Sequence, residues 1–257
     1  MQGQVLAGRT ILVTGASSGL GQAFAKLFAR NGAAVALAAR RMDRLERIVD
    51  DIRGAGGRCV PIAMDVGDPA SIEAGFAAAE AALGPIDGMV ANAGVNAAGM
   101  VIDITPDQID EVLSVNVKGV MLSVQAAGRR MIANGSAAQE RARIVIISSM
   151  TANTVGPGIA LYSASKAAIQ HFGKLAAREW TRQGISLNIV NPGYIATELN
   201  DEWFESPAGK GQIARWPRKR LMQESDLDPI MLYLLSDAAR GVTGSVFTID
   251  DGQSLKS

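Results

Sequence analysis

The chain has 257 residues, 48% of them hydrophobic and 19% charged, with 25 basic and 25 acidic side chains. This is the composition of an ordinary soluble globular protein, and the length supports a substantial α/β core. A formal charge of zero gives no global attraction for nucleic acid, so no such partner is expected.

One cysteine, Cys59, excludes an internal disulfide framework and zinc sites built on cysteine pairs; a buried, inert thiol is expected. The opening MQGQVLAGRT has no long apolar core, and no run of roughly 18 apolar residues occurs. The expectation is a cytoplasmic protein with no membrane partner.

Residues 10–13 (TILV) read as a strand that ends in TGASSGLG, residues 14–21. Gly15, Gly19 and Gly21 permit a tight turn, close backbone approach to a ligand and close helix–strand packing. Leu20, Phe24, Leu27 and Phe28 then recur at helical spacing up to the Asn31-Gly32 stop. The N-terminus of that helix offers free N–H groups and a positive dipole end to a pyrophosphate. A strand, a glycine-rich turn and a helix in succession point to dinucleotide binding.

Residues 35–39 (VALAA) form the next strand candidate, and the side chains at its end discriminate between cofactors. An acid at the end of this strand holds the ribose hydroxyls in NAD-selective sites. Here Ala39 takes that place and Arg40 and Arg41 come next, so nothing repels a 2′-phosphate and a guanidinium can fork onto it. NADP(H) is the expected cofactor, with NAD(H) left open; two solvated loop arginines are the bland alternative.

A helix over 43–53, a strand over 59–63, a helix over 70–83 and a strand over 88–91 continue the alternation. Thr105-Pro106 opens a long helical region to about residue 134, and residues 144–147 (IVII) are a fully apolar strand. A helix from about 162 to 182, a strand over 186–190 and a last strand over 246–249 complete the series. Apolar strands separated by helices predict an α/β fold: a single-domain, doubly wound parallel sheet over 1–257 with helices on both faces. The least regular stretch, 200–221, carries Trp203, Phe204 and Trp216. Rather than a disordered surface insertion, it is expected to be a packed substrate lid at about 197–222.

Tyr162 and Lys166 lie four apart in IALYSASKAAIQ, so a helix brings them to one face. A cation beside a phenol stabilises the phenolate and lowers a pKa otherwise near about 10. The duller alternative is a lysine stem packed over a ring. His171, the only histidine, lies about 140° around the helix from Lys166, which argues against a metal site or a histidine-based triad.

In their order and spacing these segments resemble the short-chain dehydrogenase/reductase family over nearly the whole chain. The motifs are TGASSGLG, MDVGD, ANAG, SVNVKG, ISSMTANTVGPGIALYSASK and NPGYIATEL. Ala91 stands in the ANAG motif where the family usually has asparagine. In the tail, Asp251 replaces a more usual second glycine. The resemblance implies a Rossmann fold and a hydride exchanged between the nicotinamide and a ketone/secondary alcohol pair. Tyr162 would be the general acid/base, Lys166 would lower its pKa and hold the nicotinamide ribose, and Ser149 would hold the substrate oxygen. Asn116 would kink its helix and link Lys166 to solvent through water, and Ser148 would be structural.

Cofactor contacts are implied at Gly15, Ser17, Ser18, Gly19, Leu20 and Gly21 in the turn and at Arg40 and Arg41 beyond the second strand. Asp65 and Val66 would lie near the adenine, with Asn92, Ala93 and Gly94 next along the chain. Pro192, Gly193, Ile195 and Thr197 would pack beside the nicotinamide. Family members usually form homotetramers or homodimers, so either is expected here. Val155, Ile159, Tyr194 and Trp203 are candidates for lining a mostly apolar substrate pocket.

The substrate stays open: a 3-oxoacyl thioester, a sugar or polyol, a steroid-like compound or a xenobiotic carbonyl. RWPRKR (215–220) would greet an anionic substrate or, preferably, form a solvated face or pin the lid by salt bridges. A nucleotide-binding non-enzyme of this fold would usually have lost Tyr162 or Lys166, and an epimerase or dehydratase would show no net oxidation.

Overall fold

The computed structural model describes residues 4–196 and 201–255, and only the backbone of 201 and 202. Seven parallel strands form one sheet in the order β3-β2-β1-β4-β5-β6-β7. They are β1 (Thr10–Thr14), β2 (Ala34–Ala39), β3 (Arg58–Ala63), β4 (Gly88–Ala91), β5 (Arg143–Ile147), β6 (Ser186–Pro192) and β7 (Val246–Ile249). The chain starts in the middle, winds outward to β3, then crosses back over β1 to build the other half. That reversal places a topological switch point between β1 and β4, where the loops beyond the strands diverge and leave a crevice.

The helices obey the same logic. α1 (Gly19–Arg30) and α2 (Met42–Gly54) cover one face together with α9 (Asp228–Leu235). Phe24, Phe28, Leu45, Ile48 and Met231 pack there against Val13, Val35, Leu37 and Val145. α3 (Pro69–Leu83), α5 (Val120–Ala133) and α6 (Ala160–Trp180) cover the other face, over Leu12, Met89, Ile144 and Ile146. Alternate residues of each strand thus feed two cores, which is why the strands read as near-continuous apolar runs.

The long helical region expected from Pro106 is three pieces. α4 (Pro106–Val112), closed at its start by a Thr105/Gln108 capping box, leads into a wide π-helical segment, Leu113–Gly119, and then α5. A π segment inside a helix re-aims the side chains at its centre, and Asn116 sits there, fully buried. α9 went unanticipated because its IMLYLL run is apolar on every side and has no helical period. The expected lid holds two short helices, α7 (Asp201–Glu205) and α8 (Pro207–Ile213). Among the described residues, no helix is long and apolar enough to cross a membrane.

Candidate active site

Along the switch point runs a cleft of about 500 Å³, floored by the loops that extend from β1 to β6. One end is the glycine-rich turn. Gly15 and Gly19 both have positive φ, at 67° and 50°. A Cβ at Gly15 would come within 2.8 Å of Ala93 Cα, and one at Gly21 within 2.3 Å of the Gly15 carbonyl oxygen. Gly21 lies behind the cleft wall, where it lets α1 close onto β1, while Gly15, Ser17, Ser18, Gly19 and Leu20 line the cleft. Asn92 fixes the turn from the neighbouring strand: its Nδ2 donates to the Thr14 carbonyl at 3.0 Å, and its backbone N–H donates to Thr14 Oγ1. The Asn92 amide is thereby committed to holding the turn.

Arg40 and Arg41 are exposed at the mouth of this end. The Arg41 guanidinium reaches back and donates to Ser17 Oγ and Ser18 Oγ, each at 2.9 Å from Nη2. No local pattern announces this contact across 24 residues. Asp65 and Val66 line the next part of the wall, and one Asp65 oxygen accepts from the Gly67 N–H at 2.9 Å. Ala93 and Gly94 come next, and Pro192, Gly193 and Ile195 line the wall from β6. Thr197 lies outside the described residues.

The inner end holds the candidate catalytic groups. Ser149 lies two residues past β5 and caps a short 3-10 segment, while Tyr162 and Lys166 sit in the first two turns of α6. The Lys166 Nζ is buried, donates to the Ile147 carbonyl at 3.0 Å, and lies 5.5 Å from the centroid of the Tyr162 ring. Ser148 Oγ donates to the Lys166 carbonyl at 2.9 Å, tying β5 to α6. Ser149 Oγ accepts from the Thr151 N–H at 3.1 Å and from Thr151 Oγ1 at 3.0 Å. Its own O–H is then free to donate into the cleft. Thr151 was not anticipated, although a hydroxyl two residues past a strand-ending serine is a known local bonding pattern.

Asn116 stands behind the cleft wall. Its side chain exchanges two 2.8 Å hydrogen bonds with the backbone of Val95 and donates to Ser165 Oγ at 3.1 Å; Ser165 Oγ donates in turn to the Tyr162 carbonyl. A Cβ at Gly94 would meet Asn116 Oδ1 at 3.3 Å and Lys166 Nζ at 3.5 Å, so both converge on this glycine. Asn116 therefore locks the loop after β4 to the start of α6.

Two expectations need correcting. With the groups this chain supplies, the Tyr162 phenol is pushed up to about 12, not down. Burial is the largest cause, the Ser149 hydroxyl works against it, and the nearby Tyr194 phenol adds to the rise. Burial also brings the Lys166 ammonium down to about 8. Desolvation outweighs the attraction the i,i+4 pairing suggested, because both groups lose water together. Secondly, Val155 and Trp203 are exposed, at 93% and 52%, and lie off the cleft, whereas Ile159 and Tyr194 line it. Val155 sits on a loop and Trp203 on α7, and both stand open to solvent.

Cys59 is buried, with its thiol pushed up by desolvation, and His171 is exposed. Among the described residues, no group of His, Cys, Asp and Glu is arranged to hold a metal ion. In RWPRKR, Arg218 and Arg220 reach the Asp251 carboxylate at 3.1 Å and 2.7 Å, so the tail residue that departs from glycine ties down this stretch.

The family profile described as short chain dehydrogenase matches residues 9–208. Oxidoreductase UcpA of Salmonella typhimurium is 35% identical over 97% of this chain and 96% of its own length. Gluconate 5-dehydrogenase of Gluconobacter oxydans is 35% identical over 96% and 95%. The crystal structure of a gluconate 5-dehydrogenase from Burkholderia cenocepacia, in complex with NADP and tartrate, superposes with a TM-score of 0.90 at 31% identity, covering 96% of each chain. With its parallel sheet, glycine-rich turn and Ser149–Tyr162–Lys166 cluster, the chain belongs to the short-chain dehydrogenase/reductase family and is an NAD(P)-dependent oxidoreductase.

Proposed function

We propose that the protein interconverts a secondary alcohol and a ketone using NADP(H), on a hydroxylated, sugar-type substrate. The observation that carries this reading is one cleft with a hydroxyl-rich reactive end and a guanidinium-rich nucleotide end. A nicotinamide bound in the cleft supplies or takes the hydride. Tyr162 moves the proton at the substrate oxygen. Ser149, its lone pairs committed to Thr151, donates to that same oxygen as negative charge develops. Lys166 supplies positive charge beneath the phenol and a donor toward the nicotinamide ribose. Asn116 positions both by holding α6 to the loop after β4.

Arg40 and Arg41 supply the contacts to a 2′-phosphate, and no carboxylate at position 39 opposes one. Support for a sugar-type substrate comes from the gluconate dehydrogenases among the relatives and from the hydroxyls of Ser149, Thr151, Tyr162 and Tyr194 in the cleft. Ile159 and Tyr194, two of the residues expected to line the pocket, stand beside these hydroxyls. The lid at about 197–222 would close over this end.

The test is turnover with NADPH and NADH, or NADP and NAD, over a panel of ketones, hydroxyketones, alcohols and polyols. Cofactor binding without net turnover across the panel would indicate a non-enzyme or an epimerase. We also infer a homotetramer or homodimer, since Ile109 and Leu113, one helical turn apart, leave apolar surface exposed. A monomer mass by light scattering would refute that.

A further inference from the structure

We propose that Tyr194 is a specificity-determining residue, donating a hydrogen bond to a second oxygen of the substrate, beyond the reacting carbon, with Gln212 of the lid as its positioning residue. The proposal rests on the reading of the cleft as a dehydrogenase site.

Tyr194 lies just past β6 and projects from the nucleotide-side loop into the same cleft as Ser149, Thr151 and Tyr162. Its backbone is clamped from the far end of the chain. Gln253 Oε1 accepts from the Tyr194 N–H at 2.6 Å, and Gln253 Nε2 donates to the Tyr194 carbonyl at 3.2 Å. Its ring is clamped from the lid, stacked on Trp216 at 5.5 Å and 17° and meeting the edge of Phe204 at 5.4 Å. Held on both sides, the phenol has its position set before any ligand arrives, which limits the entropy lost on binding.

Gln212 stands beside the phenol and works against the rise in its pKa. The Trp203 Nε1–H donates to Gln212 Oε1 at 3.1 Å, which leaves the amide N–H2 as the group Gln212 offers to the Tyr194 hydroxyl. A phenol oxygen that accepts from an amide keeps its own O–H to give elsewhere. Burial raises the Tyr194 pKa, so that proton stays on at neutral pH. Tyr162 and Tyr194 line the same cleft, and the Tyr194 phenol adds to the raised pKa of Tyr162. A substrate with a single carbonyl satisfies the Ser149–Tyr162 pole and leaves the Tyr194 O–H without a partner once water is expelled. An α-hydroxyketone or a vicinal diol supplies the second acceptor. A site built to bond a hydroxyl discriminates against the analogue that lacks it, because its own polar group is left unpaired.

The experiment compares kcat/KM for a hydroxyketone with that for the matching simple ketone, using wild type, Tyr194→Phe and Gln212→Leu. Tyr194→Phe keeps the ring that stacks on Trp216, and melting curves check its fold. The preference for the hydroxyketone should fall by about tenfold in Tyr194→Phe, chiefly through KM, and by less in Gln212→Leu, also in KM. An unchanged preference, or an equal loss on both substrates, overturns the proposal while leaving the dehydrogenase reading intact. If wild type turns over no carbonyl, the dehydrogenase reading fails instead. Calorimetric binding of the two compounds to Tyr162→Phe then tests Tyr194 on its own, and equal affinity with and without the Tyr194 hydroxyl overturns it.

Discussion

The Lys166 Nζ lies 5.5 Å from the centroid of the Tyr162 ring, and burial leaves the phenol near 12 and the ammonium near 8. At neutral pH this chain therefore keeps Tyr162 protonated beside a positive charge. Tyr162→Phe removes the proton and keeps the ring. Carbonyl reduction should fall by about a thousandfold or more, with NADPH affinity nearly unchanged. Retained turnover in steady-state assays would remove Tyr162 from its role.

Lys166 also carries a cost that can be measured. Its pKa falls from 10.5 to about 8 on folding, so between these values the unfolded chain binds the proton more tightly. Stability attributable to this residue therefore rises with pH from about 8 to 10.5 and is lowest below 8. Lys166→Met keeps the stem and should be more stable than wild type at pH 7, by up to about 3 kcal/mol, while losing activity. Urea titrations across pH should show the advantage shrinking above pH 8. An advantage that grows with pH would contradict the assignment.

The parts of this site visible in the sequence are those set by local spacing. Gly15, Gly19 and Gly21 fall between a strand and an amphipathic helix, and Tyr162 and Lys166 fall on one helical face, so short-range periodicity finds them. The strands stood out because burial on both faces makes each a continuous apolar run. What stayed hidden depends on distance. Arg41 meets Ser17 and Ser18, Gln253 clamps Tyr194, and Asp251 gathers Arg218 and Arg220, and no spacing rule connects these residues. The pKa order of Tyr162 and Lys166 was hidden for a different reason. Adjacency predicts attraction, but desolvation is set by everything packed around the pair.

At the lip of the cleft, the two arginines are held differently. Arg41 is braced on Ser17 and Ser18, whereas Arg40 has no such brace among the described residues and projects from the lip. Arg40→Asp and Arg41→Asp should each raise the Kd of NADPH by about tenfold or more and change that of NADH far less. Arg41→Asp should also disturb the turn, and so affect NADH more than Arg40→Asp does. Fluorescence titrations with both cofactors decide this, and equal losses for NADPH and NADH in Arg40→Asp would refute the phosphate contact.

Asp251 holds a positive φ of 53°, a conformation glycine adopts more easily, and accepts from Arg220 while pairing with Arg218. Lys219 between them also has positive φ, 49°, a turn that brings its two neighbours to the same carboxylate. The ion pairs thus offset a strained backbone and anchor the stretch that carries Trp216, against which Tyr194 stacks. Asp251→Asn tolerates the same φ but drops the charge. The substrate KM should rise in that variant while kcat for bound substrate changes less. Wild type should approach the variant's KM at high salt, because the pairs lie near the surface and are screened there. A KM for wild type that does not respond to salt, beside an unaltered Asp251→Asn, would show that the anchor does not govern the substrate end of the cleft.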